Sequence, residues 1–115
     1  MHELGIVTHV IKTLTDVAAE NRLTRIGSVT LEVGEVSGVI NDLIEDCWDY
    51  MCSKKGPMFE GCKLILEVTP AVTWCNSCEK TYPTVRYGRT CPYCGSGETW
   101  LLHGNECTIK EIEAE

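Results

Sequence analysis

The sequence predicts an α/β (α+β) fold in which two helices pack on a three-stranded sheet and a zinc-ribbon-like four-cysteine domain is inserted. Two observations predict it. Helical and strand periodicities alternate along most of the chain, and both disappear between residues 74 and 100, where Cys, Gly, Pro and Tyr dominate. We therefore assign residues 1–73 and 101–115 to an α/β domain and residues 74–100 to the insert. A length of 115 residues suits one such domain with a small appendage.

Two amphipathic helices are expected in the first half of the chain. Apolar residues at i, i+3, i+4 spacing extend from Val7 to Ala18 and predict the first helix. A second apolar stripe extends from Ile40 to Met51, with Asn41 as the expected N-cap. A Ser-Lys-Lys-Gly-Pro run then ends this helix. We interpret both stripes as faces that pack against a core.

Three strands complete the predicted domain. Apolar and polar residues alternate over residues 29–33, which indicates a half-buried strand, and again over residues 62–68. Strand character returns around Cys107 and Ile109, although Ile112 falls out of phase with that pair. The pattern leaves the order and direction of the three strands open.

Four cysteines in the insert have the spacing of a metal site. Cys75 and Cys78 form one C-x2-C pair, Cys91 and Cys94 form a second, and twelve residues separate them. Such pairs form tight knuckles that hold a metal from two sides, and four soft thiolates in a tetrahedral arrangement select Zn(II). Because four thiolates saturate the metal, we expect the zinc to be structural and the spacer to fold back as a hairpin.

Three other interpretations of the insert stay open. A rubredoxin-like iron site is one, because Cys-Pro-Tyr-Cys-Gly is similar to a rubredoxin knuckle. A nucleic-acid-binding zinc ribbon is disfavoured by the net charge of only +1 that the Lys, Arg, Asp and Glu residues give to residues 74–100. Disulfide exchange is disfavoured because two pairs at ribbon spacing are not typical of a thioredoxin-like unit.

The other four cysteines carry no ligand spacing. Cys47 lies on the apolar stripe of the second helix, and Cys62 and Cys107 fit strand faces, so we expect all three to be buried thiols that behave as small hydrophobes. The pattern assigns no role to Cys52.

The amino terminus offers a second set of metal donors. The α-amine of Met1, main-chain amide nitrogens and the His2 ring can reach one ion, and such a nitrogen-rich, near-planar set favours Ni(II) or Cu(II) over Zn(II). Glu3 can add charge or hydrogen-bond a ligand. His9 lies outside the apolar stripe of the first helix, so we expect it to be an exposed surface residue.

Charge and composition exclude several classes of protein. Ten Lys and Arg against seventeen Asp and Glu give a net charge of -7, which argues against nucleic-acid binding. No run of about 18 apolar residues predicts a membrane span, and no secretory signal is visible, so we expect a cytoplasmic protein with reduced thiols. No nucleophile–base constellation or phosphate-binding glycine loop is visible, so no enzymatic activity is expected.

Together these motifs resemble one known family. The initial Met-His-Glu, the segment VTLEVGEVSGV, the segment LEVTPA before the first knuckle and the two cysteine pairs are similar to the HypA/HybF family of hydrogenase maturation nickel metallochaperones. The resemblance implies that Met1, His2 and Glu3 hold Ni(II), while the four cysteines of the insert hold structural Zn(II).

The resemblance also implies partners. Members of the family work with a HypB-type nickel GTPase, which would supply any GTP hydrolysis, and deliver nickel to the large-subunit precursor of [NiFe]-hydrogenase. Some members also supply urease, through a urease accessory protein. The alternative is a zinc-stabilised interaction adaptor that carries no transferable metal and has no selective nickel binding.

Overall fold

The computed structural model describes residues 3–115 as six strands and three α-helices. None of the helices within this range has the length and apolarity needed to cross a membrane. In chain order the elements are α1 (Glu3–Asn21), β1 (Ile26–Gly34), α2 (Asn41–Lys54), a 3-10 turn (Pro57–Phe59), β2 (Lys63–Thr69), β3 (Val72–Cys75), β4 (Lys80–Pro83), α3 (Thr84–Tyr87), β5 (Thr99–His103) and β6 (Cys107–Ala114).

The first sheet has the strand order β2-β1-β6 and shares one apolar core with α1 and α2. Strand β1 pairs in parallel with β2, with Leu31 opposite Leu66, and antiparallel with β6, with Leu31 opposite Ile109. The crossover from β1 to β2 runs through α2, as a parallel pair requires. The predicted mixed fold of two helices on three strands is therefore confirmed, and the structure supplies the strand order.

A β-bulge explains the irregular phase of the last strand. Ile109 lies opposite Leu31 while Ile112 lies opposite Val29, and the register shifts between these two pairs. One extra residue in β6 resets the alternation, so that both isoleucines face the core. The two are partly buried and pack against it.

Strand β1 is more buried than its alternating pattern indicates. Its polar face, which was expected to be exposed, is nearly inaccessible at Ser28 and Thr30, which are 8% and 4% exposed. The reason is that β1 is the central strand. Ile65 of β2 and Glu111 of β6 lie on either side of Thr30, and longer side chains on both neighbours shield a short central one.

The N-terminal end of α2 differs from the prediction. Asn41 is the first helical residue, not the cap; Ile40 occupies the cap position and no side-chain capping bond is formed there. Instead the carboxylate of Glu3, at the start of α1, accepts a hydrogen bond of 3.0 Å from the Ile40 N–H. A carboxylate at a helix N-terminus is favoured by the helix dipole, so a residue distant in sequence serves this helix end.

The second sheet has the strand order β4-β3-β5, with both pairs antiparallel. The first cysteine knuckle forms the turn between β3 and β4, and the spacer holds β4 and the single helical turn α3. The spacer therefore does not fold back as a hairpin of its own. The strands of this sheet lie between Val72 and His103, and the domain boundaries at residues 73/74 and 100/101 stay a prediction.

The two sheets meet at the C-terminal end of β1, where the β2–β3 and β5–β6 connections both pass from one sheet to the other. A Cβ atom on Gly34 would overlap the Gly104 carbonyl, and a Cβ atom on Gly104 would overlap Ala71. The Glu35 carboxylate accepts a hydrogen bond of 3.0 Å from the Ala71 N–H, and the Val36 N–H donates to the Gly104 carbonyl at 2.9 Å. The Gly-Glu-Val run at residues 34–36 therefore holds both connections between the sheets.

Candidate metal centre

The two cysteine knuckles have the same backbone geometry. In the first, the Glu79 N–H donates to the Cys75 carbonyl at 2.9 Å; in the second, the Gly95 N–H donates to the Cys91 carbonyl at 2.8 Å. Both turns end in the left-handed region, with φ of +57° at Glu79 and +73° at Gly95. Glycine adopts this conformation without strain, whereas glutamate does not. The second C-x2-C pair is followed by a glycine, which indicates such a turn, whereas the first pair is followed by Glu79.

The four predicted ligands form one cluster. The Sγ atoms of Cys75, Cys78, Cys91 and Cys94 all lie within 4.8 Å of one another. The Cys75–Cys94 and Cys78–Cys91 sulfur distances are both 3.6 Å. A tetrahedron with metal–sulfur bonds of about 2.3 Å has edges of about 3.8 Å, so four thiolates in this arrangement fit a zinc-sized ion.

Polar contacts hold the two knuckles together around the cluster. The Asn76 N–H donates to the Glu98 carbonyl at 2.9 Å, and the Cys91 N–H donates to the Ser96 carbonyl at 3.0 Å. The hydroxyls of Ser77 and Ser96 share a hydrogen bond of 2.8 Å. These bonds tie each knuckle to the segment that leads into β5, so the four sulfurs are positioned by three parts of the chain.

The second sheet has almost no apolar core besides the cluster. Its buried apolar residues are Cys75, Tyr82 and Cys91, with Cys78 packed against them, and Cys94 is exposed. The Tyr82 hydroxyl donates to the Gly88 carbonyl at 2.9 Å, so the polar group of this buried side chain has a hydrogen-bond partner. So small a core supplies little stability, and a bound metal would have to supply the rest.

The thiols of Cys78 and Cys91 differ in acidity. Desolvation, with hydrogen bonds to the neighbouring thiols, raises the pKa of Cys78 to about 12. Desolvation also acts on Cys91, but the backbone N–H groups of Cys94 and Tyr93 outweigh it and hold the pKa of Cys91 at about 7. Cys91 is therefore ready to ionise near neutral pH, whereas a metal must displace the proton of Cys78.

The amino-terminal candidate site is described only from Glu3 onward. Met1 and His2, the predicted amine and imidazole donors, lie outside the described residues. Glu3 begins α1, and its carboxylate contacts the Ile40 N–H as described above. His9 is exposed on α1, as expected. The contact between Glu3 and Ile40 joins positions 37 residues apart, and no local pattern in the sequence predicts it.

The remaining cysteines divide into two groups, and part of the prediction is wrong. Cys62 is buried, as expected, and so is Cys52, to which no role was assigned. Cys47 and Cys107 are only partly buried. Both lie at the periphery of the first core rather than inside it, because Cys47 is on the flank of α2 and Cys107 begins an edge strand.

The fold and the cluster together define a class: a small α+β metal-binding protein with a four-thiolate site. Comparison with known proteins gives the family. The profile of the HypA family, described as "Hydrogenase/urease nickel incorporation, metallochaperone", matches residues 1–114. The chain therefore belongs to the HypA family, and its function is that of a nickel metallochaperone in hydrogenase maturation.

Individual relatives match over the whole chain. Hydrogenase maturation factor HypA of Geobacter metallireducens is 36% identical over 115 residues, which is the full length of both chains. Hydrogenase maturation factor HybF of Klebsiella pneumoniae is 29% identical, again over the full length of both. The solution structure of the Ni metallochaperone HypA from Helicobacter pylori superposes with a TM-score of 0.77 at 21% identity, over 99% of this chain and 97% of that one, and supports the fold.

Proposed function

We propose that this chain carries Ni(II) at its amino terminus and delivers it during maturation of [NiFe]-hydrogenase, while Zn(II) in the four-cysteine cluster only stabilises the second sheet. The observation that carries the proposal is the family match, which begins at residue 1 and so includes the Met-His-Glu start. Nickel is the cargo in this scheme, and zinc is the resident ion.

In the nickel site, the Met1 amine, main-chain amide nitrogens and the His2 imidazole bind the ion. Nitrogen donors in a near-planar set match the square-planar preference of Ni(II). Glu3 is anchored by its 3.0 Å contact with the Ile40 N–H, which brings the start of α1 against the N-terminal end of α2. We infer that this contact fixes where the nickel is presented. The amide nitrogens and the amine must lose protons, so nickel affinity falls as the pH falls.

In the zinc site, Cys75, Cys78, Cys91 and Cys94 are the ligands. The arrangement of the four sulfurs, all within 4.8 Å of one another, supports a tetrahedral ion. Four thiolates leave no open coordination position, so this ion does no chemistry and its binding energy stabilises the fold.

We propose that the chain acts as a carrier and not as a catalyst. A HypB-type nickel GTPase and the large-subunit precursor of [NiFe]-hydrogenase are the proposed partners, with a urease accessory protein as a further one. Nucleic acid and membranes are not proposed partners. We place the protein in the cytoplasm, a reducing compartment in which thiols stay available to bind metal.

Calorimetric titration of untagged, zinc-loaded protein with Ni(II) tests the nickel site. We expect one tight nickel equivalent in the unmodified protein. His2→Ala removes the imidazole donor, and a His-free N-terminal extension of several residues removes the Met1 amine, so both are expected to abolish tight binding. His9→Ala is the matched control, because His9 is an exposed imidazole on α1 that is not one of the proposed donors, and the substitution should leave the titration unchanged.

Metal analysis of the same variants separates carrier from adaptor. Zinc content should remain one per chain in all of them, since none of the substitutions touches the cysteine cluster. Unchanged nickel affinity in both His2→Ala and the extended protein would contradict the proposed site, and absence of selective nickel binding in the unmodified protein would favour the zinc-stabilised adaptor.

A further inference from the structure

A cavity of about 550 Å³ opens at the C-terminal end of α2, and none of the four cysteines of the insert lines it. Its walls come from the last turns of α2, the 3-10 turn and the residues that lead into β2. Two of the residues lining it are the buried cysteines Cys52 and Cys62, and two acidic residues, Asp49 and Glu60, lie at the same cavity.

The two thiols are held by well-packed elements. Cys52 is 9% exposed in the last turn of α2, and Cys62 is 8% exposed one residue before β2. The Trp48 indole N–H donates to the Cys62 carbonyl at 3.1 Å, and the Trp48 and Phe59 rings meet edge to face at 6.5 Å. These contacts tie the helix to the strand and fix the backbone that bears each sulfur.

We propose that Cys52 and Cys62 form a low-coordinate site for a soft monovalent metal ion of the Cu(I) type, bound between two sulfurs. Two S–H bonds break, two sulfur–metal bonds form, and two protons pass to solvent. The site uses none of the proposed zinc ligands, and the proposal does not depend on the nickel function.

The number of donors selects this class of ion. Asp49 also lines the cavity, but its carboxylate does not form a three-donor group with the two sulfurs. Within residues 3–115, the insert cluster is the one group of three or more metal-binding side chains whose donor atoms lie within 4.8 Å of one another. Zinc needs four donors and Ni(II) prefers a square-planar nitrogen set, whereas Cu(I) is selected by soft thiolates.

The thiols are protonated until a metal displaces their protons. Burial, followed by the charges of Cys62 and Asp49, raises the pKa of Cys52 to about 12, and burial raises the pKa of Cys62 to about 11. Since two protons leave, the affinity for Cu(I) should rise about a hundredfold per pH unit between pH 6 and 8.

Anaerobic titration of the zinc-loaded full chain with Cu(I), against a competing colorimetric chelator, tests the site. The unmodified protein should retain its zinc and bind a Cu(I) equivalent that Cys52→Ser and Cys62→Ser each lose. Cys107→Ser is the matched control, because burial also raises the pKa of Cys107 but that residue does not line the cavity. It should keep the equivalent.

Alkylation of the unmodified protein, mapped by mass spectrometry, covers the case in which a variant fails to fold. Cu(I) should protect Cys52 and Cys62 from alkylation and leave Cys107 as reactive as before. Retention of the Cu(I) equivalent in either folded cavity variant would overturn the proposal. So would ejection of zinc without protection of Cys52 and Cys62, or the recovery of these two residues as a disulfide with no copper bound.

Discussion

Gly104 lies where the two sheets meet, and Gly104→Ala is the substitution that tests the packing there most sharply. Its φ of +114° is a conformation that L residues other than glycine rarely adopt. An added Cβ would also overlap the Cα and Cβ atoms of Ala71, with the Ala71 nitrogen at 3.1 Å. Both atoms in the way belong to a backbone segment that Glu35 fixes by a hydrogen bond. The neighbour therefore has little freedom to move aside.

Two costs set the size of the effect. Backbone strain at such a position costs about 1–3 kcal/mol, and overpacking a close contact costs about 1–3 kcal/mol more. Taking a loss of about 3 kcal/mol and an unfolding entropy of about 2.1 cal/mol/K per residue, the Tm of this 115-residue chain should fall by about 12 °C. Thermal unfolding of zinc-loaded protein, followed by circular dichroism, measures this change.

Gly97→Ala is the matched control for that experiment. No heavy atom lies within 4 Å of a Cβ built at Gly97, so its Tm should stay close to that of the unmodified protein. A loss below about 1 kcal/mol for Gly104→Ala would refute the reasoning, since it would mean that the Ala71 segment yields at little cost.

Four further predictions follow from the fold and the cluster. Glu79→Gly relieves a left-handed glutamate and should raise the free energy of unfolding by about 0.5–1 kcal/mol in urea; a loss of stability would contradict it. Trp48→Ala empties a site that is 1% exposed and should cost about 3–5 kcal/mol in the same assay. The buried Cys52 and Cys62 thiols, with pKa values raised from 9.0 to about 12 and about 11, stay protonated in the folded protein while the unfolded chain ionises them. The free energy of unfolding should therefore fall as the pH rises from about 9 towards 11, and Cys62→Ala should flatten this dependence. Cys91→Ser should abolish zinc binding and expose the amides of β3–β5 to hydrogen exchange, while β1 and β2 stay protected.

Local patterns were sufficient for the elements of the first sheet. The apolar stripes of α1 and α2 were readable because a helix repeats every 3.6 residues, and the alternation in β1 and β2 because a strand repeats every two. The irregular phase of Ile109 and Ile112 was visible too, but its cause was not. A bulge can be recognised only from the pairing with the neighbouring strand. Ile109 and Ile112 lie opposite Leu31 and Val29, which share one face of β1, so both isoleucines point to that face.

Contacts between distant segments were beyond local patterns. Asn41 has a side chain that could cap α2, yet the residue that contacts the N-terminal end of this helix, at Ile40, is Glu3. Glu3 lies at the start of α1, and the packing of α1 against α2 brings its carboxylate to Ile40. The burial of Thr30 likewise depends on β1 being the central strand. Cys47 and Cys107 were expected to be buried from their own periodicity, which does not reveal whether a position lies at the centre or the edge of a core.

The clustering of the four insert cysteines was predictable from the sequence, whereas the surroundings of the cluster were not. The doubled C-x2-C spacing reflects the geometry of the knuckles themselves, and the four Sγ atoms do meet. The positive φ of Glu79 had no glycine to signal it, and the hydroxyl contact between Ser77 and Ser96 joins residues 19 positions apart. Those features depend on how the two knuckles face each other across the second sheet.

X-ray absorption at the nickel edge, on untagged zinc-loaded protein with one equivalent of Ni(II), tests the central claim most directly. A nickel site at Met1 and His2 predicts a four-coordinate, nitrogen-rich first shell with an imidazole and no sulfur, and His2→Ala should remove the imidazole signal. A shell with sulfur donors would place the nickel on the cysteines and contradict the carrier site at the amino terminus.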